Sequence, residues 1–443
     1  MFLHGTSRIN AEGHLEIGGC DVTELAKEFG TPLYIVDEAL VRQRAREFME
    51  AFRKTGLRHQ VAYASKAFCT MAMCRLTEEE GLSLDVVSDG ELYTALQAGF
   101  PAERIHFHGN NKTPDEILMA LDANIGCFVV DNFIEMQLLN TLASDKGKRV
   151  NVLLRITPGV EAHTHEYIST GQQDSKFGFD LGNGTAFRAV EQALAQSNLK
   201  LLGVHSHIGS QIFEVEGFRM AVEKVAAFAI EVRAKLGETF SVINLGGGFG
   251  IRYVEGDTPL PVGTYVQAIA DAMISTCLEA DYPLPEIWIE PGRSMVGDAG
   301  TTLYTVGTSK HIPGVRKYIA VNGGMTDNPR PALYGSKYEA VLANRANEAP
   351  TEVVSVAGKA CESGDMLIWD LNVPEVRSGD LLAVFSTGAY NYAMASNYNR
   401  IRRPAVVFVK DGKADLVVAR ESFDDIIGND MIPERLRKQA VSK

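Results

Sequence analysis

The groups with the most chemistry to offer in this 443-residue chain stand at the ends of short apolar runs. Lys66 closes the run QVAYASKA (60–67). An amine at the end of an apolar strand is placed to form a Schiff base with a carbonyl, although a lone lysine there is as readily a rim residue reaching water. In GVHSHIGSQ (203–211), His205 and His207 are two residues apart and share one face of a strand. HTHEYIS (163–169) supplies a second His-x-His. Such pairs suit a metal ion or a stacked ring, but no HExxH and no acid-rich ligand set accompanies them, so packing or stacking is the better expectation. Ser210 and the turn Gly246, Gly247, Gly248 offer a hydroxyl and backbone N–H groups of the kind that hold a phosphate. A triple glycine is equally at home in a plain tight turn. In EPGR, Glu290 is a carboxylate able to keep a pyridine nitrogen protonated and Arg293 a guanidinium able to hold a phosphate, the alternative being a rim ion pair. ACESGD (360–365) and GAY (388–390) add a cysteine with a neighbouring acid, and a tyrosine. Together these groups suggest a pyridine phosphate anchored on a lysine.

The elements that must position them follow from periodicity. Eight short apolar runs are visible: QVAYASKA (60–67), LSLDVVS (82–88), RIHFHG (104–109), IGCFVVD (125–131), VNVLLRI (150–156), LLGVHSHI (201–208), SVINLGGG (241–248) and EIWIEPG (286–292). Between them lie stretches with apolar residues at helical spacing, such as TPDEILMALDA. Eight strand–helix alternations over about 250 residues predict a (β/α)8 barrel, with an open doubly wound sheet as the alternative. Lys66, Asp85, His108, Asp131, Arg155, His207, Gly246 to Gly248 and Glu290 all fall at the C-terminal ends of the runs. Only a closed sheet brings so many strand ends to one point, which favours the barrel.

After Gly300 the texture turns β-rich, with Gly, Pro and Asp turns and no long helical stretches, as in RPAVVFVKDGKADLVVA. The expected organisation is a barrel over 37–300 and a mostly antiparallel β domain made of 1–36 and 301–443.

Composition excludes several classes. The chain is 45% hydrophobic and 22% charged, ordinary globular usage. Its 43 Lys and Arg against 56 Asp and Glu leave a net charge of −13, which disfavours nucleic acid and anionic membrane as partners. Cysteines 20, 69, 74, 127, 277 and 361 form no CxxC pair, and the N-terminus reads as neither leader nor anchor. A cytoplasmic setting is expected.

The ordered set YASKAF, SLDVVSDGEL, HTHEYISTGQQDSKFGFDL, HSHIGSQ, NLGGGFG, EPGR, RPALYG, ACESGD and GAYNYAMASNYN resembles the diaminopimelate decarboxylase family of barrel-fold (fold-type III) pyridoxal-phosphate enzymes, from about residue 15 to 410. The resemblance implies pyridoxal 5'-phosphate as cofactor, with Lys66 as its Schiff-base lysine and His207 stacked on its ring. It further implies Ser210, Gly246, Gly247, Gly248, Arg293 and Tyr390 around the phosphate, Glu290 at the pyridine nitrogen, and Asp85 as the acid that relatives carry after the lysine. Cys361, the family's proton donor, would come from the second subunit of a homodimer. Arg293, Arg330, Tyr334, Tyr390 and Glu362 would hold the far end of meso-2,6-diaminopimelate, whose decarboxylation at the D centre gives L-lysine. A guanidinium for a distal carboxylate disfavours ornithine or lysine, which have only an ammonium there. A decarboxylase of another basic amino acid or a carboxylated polyamine, a catalytically silent relative, and a metal hydrolase using the His-x-His pairs are the competing readings. The chain departs from the family pattern at Phe68, where relatives often have asparagine, and at Lys359, where they often have proline. Phe68 bears on packing beneath Lys66, and Lys359 puts a positive charge two residues from Cys361. The loop around Gln172 to Lys176 has the Gly and polar content that would permit it to move over the substrate.

Overall fold

The computed structural model describes residues 2–160 and 175–437. The second His-x-His pair and residues 172–174 of the loop just named lie outside the described residues.

Eight parallel strands close a barrel: β1 (His59–Ala64), β2 (Ser83–Val86), β3 (Ile105–Phe107), β4 (Cys127–Val130), β5 (Val150–Thr157), β6 (Leu199–His205), β7 (Val242–Asn244) and β8 (Glu286–Ile289). Each pairs with the next, and β8 returns to β1 through Ile287 opposite His59. Most strands end before the apolar run does, because the last residues of each run turn over the mouth. Lys66 accordingly sits on the 3-10 turn Ser65–Ala67 rather than on β1.

Helices follow strands one to seven, from Met71–Glu79 to Val262–Glu279, while only the four-residue Arg293–Val296 follows β8. The place of an eighth long helix is taken by Glu38–Thr55, which precedes β1 and packs against Val262–Glu279. Its start is fixed by Asp37, whose side chain accepts from Leu40 N–H, and its end by Gly56 in the left-handed region. Phe48 and Phe52 on its inner face are fully buried. The barrel interior below the mouth is filled by Cys127, Val129, Leu153, Val242 and Trp288, so it is a packed core and not a channel.

The second sheet runs Met366–Val373, Glu352–Ala357, Arg316–Val321, Gly300–Ile312, Leu33–Asp37, Ala405–Lys410, Lys413–Val418. Most pairings are antiparallel; Arg316–Val321 with Glu352–Ala357 and Ala405–Lys410 with Leu33–Asp37 are parallel. The N-terminal strand Leu33–Asp37 therefore lies inside a sheet otherwise made of residues beyond 299. The first residues are not purely β: Val22–Phe29 is helical, capped by Asp21 accepting from Thr23 N–H, with Val22 and Leu25 buried. Its Asp cap ahead of VTELAKEF carries that helix signal.

Candidate active site

A cavity of about 440 Å³ opens at the C-terminal mouth of the barrel. Lys66, Asp85, His207, Ser210, Gly247, Gly248, Glu290, Arg293, Arg330, Tyr334 and Tyr390, all singled out from sequence, border it. Gly246 lies behind the wall, its N–H donated to Asn244 Oδ1 at 2.9 Å. Cys361 and Glu362 are exposed and stand outside this chain's cavity.

Lys66 is exposed to the cavity on a turn pinned from both sides. Tyr63 Oη donates to Phe68 O at 2.9 Å and Tyr390 N–H donates to Ala67 O at 2.8 Å. Tyr390 itself has φ +61, a left-handed conformation costly for an aromatic residue, and that contact with the lysine turn helps hold it there. Phe68 is buried, its ring 5.7 Å from Tyr392 and 6.3 Å from Phe408, so this departure packs the floor beneath the lysine.

At one end of the cavity an anion cradle is assembled. Arg293 donates to Ser210 Oγ through Nη2 at 2.9 Å and Nε at 3.2 Å, and to Tyr253 Oη through Nη1 at 2.6 Å. Its guanidinium lies 4.9 Å from the Tyr390 ring centre. The glycine turn must come this close: a Cβ on Gly247 would stand 2.2 Å from Glu290 O, and one on Gly248 2.6 Å from Gly209 O. With its oxygen accepting from Arg293, the Ser210 hydroxyl proton is directed elsewhere, available to an anion. Gly247 N–H approaches His207 Nδ1 at 3.3 Å, which leaves the proton of that imidazole on Nε2.

Glu290 is buried beneath the cavity's surface. Asn244 Nδ2 donates to its Oε1 at 2.6 Å, and His205 Nε2 lies 3.0 Å from its Oε2. His108 Nε2 is 2.9 Å from Oε1, though too bent for a full hydrogen bond. Burial alone would raise the Glu290 carboxyl; the adjoining His108 and His205 hold it well below the usual carboxylate range. Burial and the nearness of Glu290 push Asp85 well above that range, against the pull of Lys66 and Arg155. Burial drives His108 down to about 3, leaving it neutral. His108, His205 and Glu290 are the three grouped side chains with metal-ligand chemistry among the described residues. Their 2.9–3.0 Å separations are hydrogen-bond distances, shorter than the roughly 3.3 Å between neighbouring ligands of a tetrahedral ion. The cluster is a carboxylate with its donors.

The mouth carries Arg330, 8% exposed, with Nη2 3.3 Å from Ser336 Oγ and Nε buried without a partner among the described residues. Tyr334 lies beside it, 5.4 Å from ring centre to guanidinium. Arg155, which also lines the cavity, packs 4.1 Å over the Phe177 ring and is 4.0 Å from Asp131. Arg155 and His108 showed in the sequence only as strand-end residues; Asn244 gave no signal beyond one amide in an apolar strand.

An anion cradle, a buried carboxylate and a lysine on the wall of one cavity fit the phosphate, pyridine nitrogen and aldehyde of pyridoxal 5'-phosphate in chemistry and charge. Comparison with known proteins agrees: the model described as pyridoxal-dependent decarboxylase, pyridoxal binding domain, matches residues 38–297. The barrel is thus that of a pyridoxal-phosphate-dependent lyase. The diaminopimelate decarboxylase of Bacillus subtilis (strain 168) is 63% identical over 431 residues, 97% of this chain and 98% of the relative. That of Staphylococcus aureus (strain COL) is 49% identical over 96% of this chain and 99% of its own. Among solved structures, the M. jannaschii diaminopimelate decarboxylase in complex with L-lysine superposes with a TM-score of 0.91 at 38% identity, covering 98% of this chain and 99% of its own. The chain belongs to the diaminopimelate decarboxylase family.

Proposed function

We propose that this pocket removes the carboxylate at the D centre of meso-2,6-diaminopimelate, releasing carbon dioxide and L-lysine in lysine biosynthesis, and that its residues act as follows. Pyridoxal 5'-phosphate, when bound, supplies the electron sink that takes up the pair left as carbon dioxide departs. Lys66 holds the cofactor through its amine, with Asp85 close by. Ser210, the turn Gly246 to Gly248, Arg293 and Tyr390 secure the phosphate, His207 stacks on the ring, and Glu290 accepts from the pyridine nitrogen. Arg293, Arg330, Tyr334 and Tyr390, with Glu362, bind the distal amino-acid centre. Cys361 Sγ delivers the proton that replaces the lost carboxylate.

The observation that carries the substrate assignment is Arg330, a buried guanidinium whose Nε has no partner among the described residues. A buried, unsatisfied cationic donor at the mouth calls for an anion, which the second carboxylate of diaminopimelate provides. Ornithine and lysine would instead bring an ammonium to it.

Cys361 and Glu362 are exposed outside the cavity of their own chain, which supports a homodimer whose sites are shared. A larger cavity, about 1050 Å³, lies on the β domain between the segment after Arg330 and strand Met366–Val373, with Trp369 on its wall 56% exposed. It has no cluster of strand-end polar groups and is an apolar face suited to a second copy. The same reading divides the chain into a barrel over 37–300 and a β domain of 1–36 plus 301–443 that completes the site. It also puts the enzyme in the cytoplasm; no helix among the described residues is long and apolar enough to cross a membrane.

The decisive experiment supplies the purified holoenzyme with meso-diaminopimelate, ornithine and lysine separately. Carbon dioxide and L-lysine are expected from the first alone; faster turnover of ornithine overturns the assignment.

A further inference from the structure

The carboxylate of Glu290 is surrounded more completely than an ion pair with a cofactor requires. The register of the barrel sets this up: Arg155 on β5 stands opposite His205 on β6, and His205 stands opposite Asn244 on β7. His205 and Asn244 thus reach the same carboxylate from neighbouring strands, one oxygen each. The direction of both bonds can be read from the second atom of each donor. Asn244 Oδ1 accepts from Gly246 N–H, so its amide nitrogen is the atom turned to Glu290 Oε1. His205 Nδ1 is buried without a partner among the described residues. A proton there would be a buried unpaired donor, which leaves the ring proton on Nε2, directed at Oε2.

A carboxylate has about four acceptor positions. On Oε1, Asn244 occupies one and His108 crowds the other at 2.9 Å without completing a hydrogen bond. On Oε2, His205 occupies one. A single well-directed acceptor position remains, on Oε2. Donation from these groups favours the charged carboxylate against the burial that opposes it. The titratable and charged groups facing the cluster are Asp85, His106 and His108 from β2, β3 and the loop after β3, Arg155 from β5, His207 from the loop after β6, and Lys66 from the turn after β1.

We propose that His205, with Asn244 as its counterpart on the other oxygen, is a positioning residue that keeps Glu290 ionised and aims its last free acceptor at the pyridine nitrogen, so that the proton between them stays on the ring. The inference rests on the assignment of Glu290 to that nitrogen. Burial opposes a charged Glu290, so removing a donor shifts the balance of the shared proton toward the carboxyl. The bare Nδ1 of His205 has a corollary: any side chain that offers one N–H at the position of Nε2 suffices, and imidazole basicity is not needed.

The test loads the holoenzyme with pyridoxal phosphate labelled with 15N in the ring and reads the nitrogen chemical shift and the cofactor dissociation constant. The native enzyme is expected to give the protonated value. His205→Leu removes the donor; the shift should move toward the unprotonated value and cofactor affinity fall roughly 10-fold, the weight of one lost hydrogen bond to a charged group. His205→Gln keeps an N–H donor without a titrating ring and should restore the protonated value. An unchanged shift in correctly folded His205→Leu overturns the proposal. So does failure of His205→Gln to restore the shift while its fold is intact. Where the leucine variant does not fold, Asn244→Ala removes the donor on the other oxygen and must move the shift in the same direction, an unchanged value again overturning it. Failure of the underlying assignment looks different: an unprotonated nitrogen already in the native enzyme, or no response to Glu290→Gln.

Discussion

At the floor of the cavity Glu290 meets Asn244, His205 and His108, and the lysine turn is tied down by Tyr63 and Tyr390. At the rim Arg330 keeps a buried Nε without a partner among the described residues, Tyr334 is 38% exposed, and Cys361 and Glu362 lie outside the cavity. Both regions are built by one chain, yet on the proposed reading only the floor is finished within it. The floor comes from strand ends whose register is set by the closed sheet, so its geometry is fixed before any ligand arrives. The rim comes from loops and a short helix of the β domain and is completed from outside, by substrate and, on the proposed reading, by a second copy. Changes at the floor should therefore register in the cofactor, and changes at the rim in substrate and subunit exchange.

The largest effect that sharpens this contrast is expected at Lys66. Lys66→Ala should abolish the visible absorbance of the lysine-bound cofactor and lower turnover by roughly 10³-fold or more. Retention of both would break the assignment. Next comes Cys361→Ala, which should leave cofactor absorbance and affinity intact while slowing turnover about 10²- to 10⁴-fold. Mixing it with Lys66→Ala chains should recover part of the activity, since one hybrid site holds an intact Lys66 and an intact Cys361. Verified heterodimers without recovery would mean that the rim is not shared. For Arg330→Gln, KM for meso-diaminopimelate should rise by about 10²-fold with the cofactor spectrum unchanged; a spectral change with unaltered KM would move Arg330 from rim to floor.

The smallest effect concerns a carboxyl behind the rim. Asp327 is buried under the segment leading to Arg330, accepts from Gly324 N–H at 3.0 Å and meets Tyr304 Oη at a very short distance. Burial pushes its carboxyl up to about 7. The folded state then holds a proton that the unfolded chain, titrating near 3.8, has released. This contribution is complete below about pH 4 and is lost as pH rises toward 7. A midpoint of unfolding a few degrees higher at pH 6 than at pH 8, with the difference reduced in Asp327→Asn, is the expected outcome. Equal pH dependence in both proteins would count against it.

The barrel was legible because eight apolar runs with helical stretches between them leave few other solutions, and because polar residues recur at the same end of each run. Lys66, Glu290 and Arg293 were legible for the same reason, each being a reactive type where an apolar strand stops. The donors of Glu290 were harder. Asn244 matters because it lies opposite His205, and His108 because it faces Glu290 across a closed sheet; neither relation has a period along the chain. The helix Val22–Phe29 carries its own cap signal at Asp21, but it sits in a segment whose turns and short strands read as β. The exact lengths of the strands were also not visible, since residues such as Ser65 to Ala67 follow β1 with no Gly, Pro or Asn to mark a turn but are needed in the turn over the mouth.

The strand Leu33–Asp37 lies between Gly300–Ile312 and Ala405–Lys410 in its sheet. It is synthesised well before either of its two neighbours. Until the ribosome has passed residue 410, the barrel can close while this apolar strand keeps an open edge, a period during which the nascent chain is open to mispairing and to chaperone capture. A chain cut just before Ala405 would make that state permanent, and limited proteolysis should then cut within 33–37, where the full chain resists.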